Sequence, residues 1–337
     1  MTPPDQPGGR HRWGGRRVFV TGATGLVGSW LVRELLGRGS EVVVLVRDAD
    51  PQSQLLRSGD IARTSVVNGA VEDLGTVTRA INQHRPDTVF HLAAQTQVRC
   101  AWRDPYETFE SNVRGTYTLL EACRRHADSV QGVVVASSDK AYGEAASLPY
   151  TESTSLEARF PYDTSKLCTD VLARSYFATY GLPVTIARCG NIYGGGDLNW
   201  DRIVPGTIRS LLRHERPVIR SDGTLVRDYV YVKEVVEAYL TLADHVRRPG
   251  VTGEAFNFSA ERPMSVLEVV DEIGRAMNVR PEPDVRGEAV AEIGRQFLSS
   301  ERARSVLGWQ ARYAIGTGLG ETVAWYREFL ENGGAAA

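Results

Sequence analysis

Residues 18–28 read Val-Phe-Val-Thr-Gly-Ala-Thr-Gly-Leu-Val-Gly, an apolar run followed by a glycine-rich turn and the start of an amphipathic segment. This order predicts a strand, a tight turn and a helix. Gly22 allows the turn, Gly25 lets the backbone approach a pyrophosphate, and Gly28 lets the helix pack on the strand. The helix N-terminus then presents free N–H groups and a partial positive charge to the phosphates. The motif assigns to a dinucleotide Gly22, Thr24, Gly25, Leu26, Val27 and Gly28.

The choice of dinucleotide depends on the end of the next predicted strand, which reads Val46-Arg47-Asp48. An acidic residue at this place binds the ribose 2′-OH of NAD, whereas an arginine accepts the 2′-phosphate of NADP. Both residue types are present. We favour NAD, bound through Asp48, over NADP bound through Arg47.

Strands and helices alternate through the first half of the chain. Strands are predicted at 17–20, 41–46, 65–67, 87–90, 132–135 and 184–187, and helices at 26–36, 76–83, 106–125 and 162–180. Such alternation predicts a parallel sheet covered on both faces, because each crossover must be right-handed. We therefore expect an α/β fold with a doubly wound Rossmann sheet.

The domain organisation follows from where this alternation stops. Residues 1–15 are rich in Pro, Gly and Arg and are interpreted as a disordered leader. The NAD(P)-binding Rossmann domain is expected to span 16–188, with a βα pair at 229–243 and a strand at 255–258 returning to the same sheet. Residues 189–228 and 260–331 then form a smaller α/β substrate lobe.

Composition excludes several function classes. The 337 residues are 42% hydrophobic and 24% charged, the balance of a globular protein, and the net charge of −2 provides no field for nucleic acid or membrane. No apolar run is long enough to span a bilayer, and no signal peptide opens the chain. Four cysteines without CxxC spacing indicate a reducing cytoplasm, and no His/Cys cluster indicates a metal.

A candidate catalytic group combines Tyr162, Lys166 and Ser138. Tyr162 and Lys166 lie four residues apart and therefore on one face of a helix. Lys166 is expected to hold the cofactor ribose and to lower the tyrosine pKa, so that the phenol can act as a base near neutral pH. Ser138 follows a buried strand, at the strand end where ligands bind in such sheets.

Together these motifs resemble the extended short-chain dehydrogenase/reductases across roughly residues 16–330. The resemblance also rests on His91-Leu92-Ala93-Ala94, on residues 188–194 (Arg-Cys-Gly-Asn-Ile-Tyr-Gly), on residues 227–232 (Arg-Asp-Tyr-Val-Tyr-Val) and on Leu307-Gly308-Trp309. It implies NAD(P) in the first lobe and a nucleotide-diphosphate sugar in the second. It further implies cofactor contacts from Leu92, Ala93, Ala94 and Gln95. Val71 stands near where the family usually has an adenine-contacting Asp.

The same resemblance implies the substrate contacts. Asn191 and Arg227 are expected to hold the sugar-nucleotide, and a guanidinium suits a phosphate because it can bind it bidentately. An alternative for Arg227 is a salt bridge to neighbouring carboxylates. The full set of expected substrate positions is Arg99, Ser138, Asn191, Arg202, Val204, Arg227 and Arg286.

Two reactions fit, and both begin with Tyr162 taking the C4 hydroxyl proton. A 4-epimerase needs only Ser138, Tyr162 and Lys166 besides NAD, and the 91–99 loop resembles UDP-glucuronate 4-epimerases, such as that of moenomycin antibiotic biosynthesis. A 4,6-dehydratase needs a further acid and base, which Asp139 and Lys140 could supply.

CDP-glucose 4,6-dehydratases have a similar Asp-Lys pair, although most glucose-type dehydratases have Asp-Glu. We favour a UDP-glucuronate or UDP-glucose epimerase and keep the CDP-glucose type dehydratase as the alternative. Structural readings of the pair are also open: Asp139 as a turn cap and Lys140 as its partner. A binding protein that has lost catalysis is disfavoured by the intact Ser138, Tyr162 and Lys166.

A homodimer is the expected assembly. The predicted helices 106–125 and 162–180 have apolar residues beyond a single stripe, and family members usually pair these helices as a four-helix interface. The residues concerned are Leu119, Leu120, Leu172, Tyr176 and Phe177. Burial within one subunit is the alternative.

Overall fold

The computed structural model describes residues 12–145, 147–288 and 293–333. The strands are β1 (Arg17–Thr21), β2 (Glu41–Val46), β3 (Ser65–Asn68), β4 (Thr88–His91), β5 (Gly132–Ala136), β6 (Val184–Cys189), β7 (Asn191–Tyr193), β8 (Val218–Ile219), β9 (Val226–Tyr231), β10 (Ala255–Phe258), β11 (Pro263–Ser265), β12 (Asp284–Val285) and β13 (Arg295–Gln296). The helices are α1 (Leu26–Gly37), α2 (Gln54–Arg57), α3 (Leu74–His84), α4 (Val98–Arg103), α5 (Pro105–Phe109), α6 (Gly115–Arg125), α7 (Pro161–Tyr180), α8 (Ile203–Leu212), α9 (Val232–His245), α10 (Val266–Met277) and α11 (Ile315–Glu331).

Seven parallel strands form the large sheet, in the order β10-β6-β5-β4-β1-β2-β3. The strand order reverses between β1 and β4, and open α/β sheets bind ligands at the carboxyl ends of the strands beside such a reversal. The predicted doubly wound sheet is therefore confirmed, and its geometry places a ligand cleft beyond Thr21 and His91.

Both faces of this sheet are buried, which explains why its strands read as continuous apolar runs. Val18 and Val20 of β1 pack in a core with α1 and α9, while Phe19 between them packs on the opposite face with α3, α6 and α7. Successive side chains of a strand alternate between faces, so one strand contributes to two cores.

The second sheet corrects one expectation. The sequence predicted that residues 229–243 return to the large sheet, but β9 pairs with β7, β11 and β13 in a separate four-stranded sheet. The edge beside β6 is occupied by β10 instead. Only α9 returns, packing against α1 and β6. A two-stranded parallel ladder of β8 and β12 completes the smaller lobe.

Packed structure begins earlier in the chain than the sequence indicated. Trp13 is fully buried, its carbonyl accepts a hydrogen bond from Ser40 Oγ (2.9 Å), and Arg16 lies 4.3 Å from its ring centre. The predicted leader is thus too long at its carboxyl end, because a buried indole anchors that end. Residues 1–11 of the predicted leader lie outside the described residues.

The predicted helix 106–125 contains an irregularity. A π-helical turn at Glu110–Arg114 joins α5 to α6 and buries Asn112. Such turns insert one extra residue into a helix and occur often at functional sites. Leu119 and Leu120 are fully buried within the subunit, so these two residues are unavailable to a partner, whereas Tyr117, Val171 and Tyr180 are exposed.

Candidate functional site

A cleft of about 560 Å³ opens at the carboxyl ends of β1, β2 and β4. The predicted cofactor residues that line it are Gly22, Thr24, Arg47, Asp48, Val71, Ala93, Ala94 and Gln95. Leu45, Glu72 and Ser111 also line it and were not predicted; Ser111 lies within the π turn. Among the other predicted cofactor residues, Gly25, Leu26, Val27 and Gly28 form the turn and the first part of α1, while Leu92, Tyr162 and Lys166 do not line this cleft.

The glycines at this turn are packed too closely for side chains. Gly22 has a φ of 72°, and a Cβ there would lie 2.6 Å from the Ala93 nitrogen. A Cβ on Gly28 would lie 2.1 Å from the Gly22 carbonyl oxygen. The backbone of α1 can therefore approach a bound pyrophosphate closely, and this cradle fits a dinucleotide.

At the end of β2, Arg47 and Asp48 bind each other. Arg47 Nε lies 2.7 Å from Asp48 Oδ2, and both side chains are exposed at the cleft. The hydrogen bond to Asp48 raises the pKa of Arg47. A carboxylate has a second oxygen for a ribose hydroxyl, while the arginine is already paired. Across the cleft, the buried Val71 provides an apolar wall near the expected adenine position.

His91 fixes the loop that forms the cleft floor. Its Nδ1 lies 2.9 Å from Thr21 Oγ1 and its Nε2 lies 3.0 Å from Thr116 Oγ1. Burial lowers the His91 pKa to about 3, so the ring is neutral. Thr21 Oγ1 also accepts from the nitrogens of Leu92 and Ala93, at 3.2 Å each. The predicted cofactor loop is thus tied to β1.

Asn112 connects the same loop to α7, and no sequence signal identified it. Its side chain accepts from the Gln95 nitrogen (2.7 Å) and donates to the Gln95 carbonyl (3.0 Å) and to Ser165 Oγ (2.8 Å). One buried amide therefore sets the position of the cofactor loop relative to the helix that contains Tyr162.

Tyr162 and Lys166 lie one turn apart on α7, which begins at Pro161 and ends before Gly181. Burial raises the Tyr162 pKa to about 12, and the largest opposing effect is the charge of Arg202. Lys166 Nζ donates to the Ala136 carbonyl (2.9 Å), and burial lowers its pKa to about 8. Lys166 was expected to lower the Tyr162 pKa. In this geometry its ammonium is hydrogen-bonded to the carbonyl at the end of β5, and the main charge that lowers the Tyr162 pKa is that of Arg202.

The residues after β5 form a short 3₁₀ turn, Asp139–Tyr142. Ser138 Oγ accepts from the Lys140 nitrogen (3.2 Å) and donates to Asp139 Oδ1 (3.0 Å), so Ser138 caps this turn rather than Asp139. Ser138 also hydrogen-bonds Tyr162. Asp139 is 1% exposed, and among the described residues its Oδ2 has no hydrogen-bond partner.

Burial raises the Asp139 pKa, although the charges of Lys140 and Arg227 oppose this. The Lys140 ammonium donates to Gln296 Oε1 at 2.6 Å. Gln296 was not identified from the sequence, because its segment has no periodic signal. The structure thus brings the buried Asp139 carboxyl group, a lysine and the Ser138–Tyr162 pair together in one corner beyond the carboxyl end of β5.

On the substrate-lobe side, Arg202 extends toward this corner. It donates to Asp197 Oδ2 (3.0 Å) and to Thr96 Oγ1 (3.3 Å), and it interacts electrostatically with Tyr162. Arg227 is buried on β9 and donates to the carbonyls of Val226 (2.9 Å) and Gly294 (3.4 Å). Its charge also acts on Asp139, so Arg227 lies at the same corner.

The other expected substrate residues are not linked to this corner by a hydrogen bond or ion pair among the described residues. Arg99 on α4 is exposed and pairs with Asp201 (3.3 Å), and Arg286 after β12 is exposed and pairs with Asp284 (3.2 Å). Asn191 begins β7, and Val204 is buried in the first turn of α8.

A family model described as "NAD dependent epimerase/dehydratase family" matches residues 18–258. The chain belongs to this family. It is an enzyme of the group that acts on nucleotide-diphosphate sugars, and the family is NAD dependent. No helix within the described ranges is long and apolar enough to cross a membrane.

Members of the family similar to this chain catalyse both candidate reactions. The CDP-glucose 4,6-dehydratase of Salmonella typhimurium is 29% identical, over 94% of this chain and 92% of the relative. The solved UDP-glucose 4-epimerase of Thermotoga maritima has a TM-score of 0.85 and 29% identity, covering 93% and 99% of the two chains. DesIV, a dTDP-glucose 4,6-dehydratase of Streptomyces venezuelae solved with NAD, has a TM-score of 0.80 and 29% identity, covering 93% and 97%.

Proposed function

We propose that this family enzyme is a nucleotide-diphosphate-hexose 4,6-dehydratase. The carrying observation is Asp139, a buried carboxyl group whose pKa is raised by burial and whose Oδ2 has no partner among the described residues. A 4-epimerase has no use for such an acid, whereas water elimination must protonate a departing hydroxyl. The similarity to the Salmonella CDP-glucose 4,6-dehydratase supports the same choice.

Each proton of the reaction can be assigned to a residue of this chain. Bound NAD would supply the hydride chemistry of the reaction, by which C4 of the hexose is oxidised and C6 is reduced. Tyr162 takes the proton of the C4 hydroxyl as the phenolate, the form that the Arg202 charge stabilises, and becomes the neutral phenol. Asp139 gives its proton to the C6 oxygen, which leaves as water. Lys140, as the neutral amine, takes the C5 proton and later returns it to C5.

Ser138 can complete the proton balance by transferring a proton from Tyr162 to Asp139. Asp139 ends the elimination as a carboxylate and must regain a proton, while Tyr162 holds the proton from O4. Ser138 Oγ is hydrogen-bonded to both, at 3.0 Å from Asp139 Oδ1. A proton can therefore pass from Tyr162 through Ser138 to Asp139, and the net reaction releases one water without an external acid.

The test is product analysis by NMR after incubation with CDP-glucose, UDP-glucose, dTDP-glucose and UDP-glucuronate. A 4-keto-6-deoxy sugar, seen by its alkaline absorbance, is the expected product. Asp139→Asn keeps the shape but cannot donate the proton, and should slow elimination by about 10²- to 10⁴-fold. A C4 epimer as the product of the wild-type enzyme, with no deoxy sugar, would contradict the proposal.

A 4-epimerase acting on UDP-glucuronate or UDP-glucose remains the second candidate because of one observation. Lys140 Nζ donates to Gln296 Oε1, and a lysine that stays protonated in that contact cannot take the C5 proton. The enzyme would then return the hydride to C4 on the other face of the sugar. The high TM-score with the Thermotoga UDP-glucose 4-epimerase supports this candidate, and the same substrate panel separates the two.

In this proposal, residues predicted from the sequence provide the contacts to the cofactor and the substrate. Asp48 binds the ribose of NAD, and Lys166 binds the nicotinamide ribose after leaving the Ala136 carbonyl. Arg227 and Asn191 bind the sugar-nucleotide, with Arg202 between its phosphates and Tyr162. Replacing Asp48 with asparagine should weaken NAD binding relative to NADP, measured by calorimetry.

We also propose a homodimer formed through the outer faces of α6 and α7. Tyr117, Val171 and Tyr180 of these helices are 42%, 52% and 57% exposed. Apolar side chains on two adjacent helices are typical of a four-helix contact between copies. Light scattering after size exclusion should give twice the mass of the chain, and Val171→Arg should give the monomer.

A further inference from the structure

Gln296 lies 156 residues from Lys140 in the chain, yet its side chain is bonded to the catalytic turn at two points. Its Oε1 accepts from Lys140 Nζ at 2.6 Å, and its Nε2 donates to the Asp139 carbonyl at 3.0 Å. The side chain is completely buried. We propose that Gln296 is a positioning residue that holds the acid and the base of water elimination in register. This inference rests on the dehydratase function proposed above.

The planar amide of Gln296 can fix two groups relative to each other. Lysine has a long flexible stem, and its amine can point in many directions unless an acceptor holds it. A neutral amide oxygen accepts from an amine as well as from an ammonium, so it does not lock Lys140 in the charged form as a carboxylate would. The second bond keeps the Asp139 backbone at a set distance from that amine.

The segment that contains Gln296 is itself bonded to the residues that follow the catalytic turn. The Tyr150 nitrogen donates to the Phe297 carbonyl (2.9 Å), and the Ser299 nitrogen donates to the Tyr150 carbonyl (2.9 Å). The Tyr150 hydroxyl in turn donates to the Gly143 carbonyl at 2.6 Å. The turn is therefore held on both sides by residues 296–299, and Gln296 has little freedom to move away.

Gln296 also lies beside the arginine of the substrate lobe. In the β9–β13 ladder, Gln296 pairs with Arg227, which is buried and acts electrostatically on Asp139. Strand β9, which contains the expected phosphate-binding Arg227, therefore lies beside β13, whose Gln296 contacts Asp139 and Lys140. Gln296 consequently belongs to the reaction step after C4 oxidation, since its side-chain hydrogen bonds are to Lys140 and to the Asp139 carbonyl rather than to Tyr162.

The test compares Gln296→Met with Gln296→Glu in the full-length enzyme with bound NAD, using the nucleotide-glucose that wild type converts. Methionine keeps the length but removes both hydrogen bonds, so elimination should slow by about tenfold to a hundredfold, with KM changed less than about twofold. Because C4 oxidation is retained, the near-ultraviolet absorbance of reduced nicotinamide should build up during turnover. In Gln296→Glu the carboxylate raises the Lys140 pKa, so the acidic limb of the kcat–pH profile should move up by about one pH unit or more.

Gln310→Met is the matched control, because Gln310 is exposed, and it should behave as wild type. A double variant with Lys140→Met should be slowed by less than the product of the two single effects, since the Lys140–Gln296 hydrogen bond is already lost in each single variant. Wild-type kcat in folded Gln296→Met, additive effects in the double variant, or an unmoved pH profile in Gln296→Glu would each overturn the inference. Failure of the wild-type enzyme to form any 4-keto-6-deoxy sugar would instead remove the proposed function.

Discussion

Asp170→Asn should break an ion pair that lies sealed behind the catalytic turn. Arg188 contacts both Asp170 oxygens, at 2.7 and 2.9 Å, and the two side chains are 2% and 0% exposed. Burial by itself would lower the Arg188 pKa, but the hydrogen bond and the charge of Asp170 raise the Arg188 pKa overall. The guanidinium therefore stays charged. Asparagine keeps the size and one acceptor, and leaves this charge without a counter-ion.

The expected cost follows from that burial. Removing one partner of a buried pair typically destabilises a protein by about 3–5 kcal/mol. Unfolding entropy of about 2.1 cal/mol/K per residue gives about 0.7 kcal/mol/K for this chain, so Tm should fall by about 4–7 °C. Arg188 also donates to the Tyr142 hydroxyl (2.8 Å) in the catalytic turn, so kcat should fall as well.

Differential scanning calorimetry measures the change, and the same substitution at a surface pair is the control. Asp128 pairs with Arg85 at 2.7 Å, but the side chains are 63% and 49% exposed, so Asp128→Asn should leave Tm nearly unchanged. The reasoning is refuted if Asp170→Asn lowers Tm no more than Asp128→Asn does.

Three further variants probe other parts of the site. Gly28→Ala places a Cβ 2.1 Å from the Gly22 carbonyl oxygen, so NAD should bind at least about tenfold more weakly by titration calorimetry, and unchanged affinity would exclude the close cradle. Asn112→Ala removes the hydrogen bonds to Gln95 and Ser165, so the free energy of unfolding in urea should fall by about 2–3 kcal/mol. Hydrogen exchange in the 93–97 loop should also become faster. A change in exchange confined to α7 would contradict this. Burial raises the Asp228 pKa from 3.8 to about 6, so the unfolded chain binds fewer protons in this window. Wild-type stability should fall, relative to Asp228→Asn, by about 3 kcal/mol as pH rises from about 4 to about 6, and parallel curves for the two proteins would disprove the shift.

The first half of the fold could be read from the sequence because its signals are local. Each strand of the large sheet is a short apolar run, and the glycine motif couples turn, helix and ligand within residues 18–28. The place of β9 could not be read in this way. Its residues fit a strand in either sheet, and the choice depends on β10 occupying the edge beside β6, a non-local contact.

The candidate site was predictable to the same extent. Spacing put Tyr162 and Lys166 on one helix face, but it does not reveal that Lys166 is held by the Ala136 carbonyl while Arg202 acts on Tyr162. Strand-end logic found Ser138 and the adjacent acid. Gln296 could not be predicted from the sequence, because only tertiary folding brings it to Lys140.

The π turn between α5 and α6 has a geometric consequence. Each residue of an α-helix advances its direction by about 100°, so one extra residue rotates everything before it relative to everything after it. Here the rotation points Asn112 inward and leaves its carbonyl to accept from Thr116 and Thr169 as well. Shortening this segment by a single residue would swing the whole of α5 around its axis, and the nucleotide loop would lose the support that Asn112 gives it.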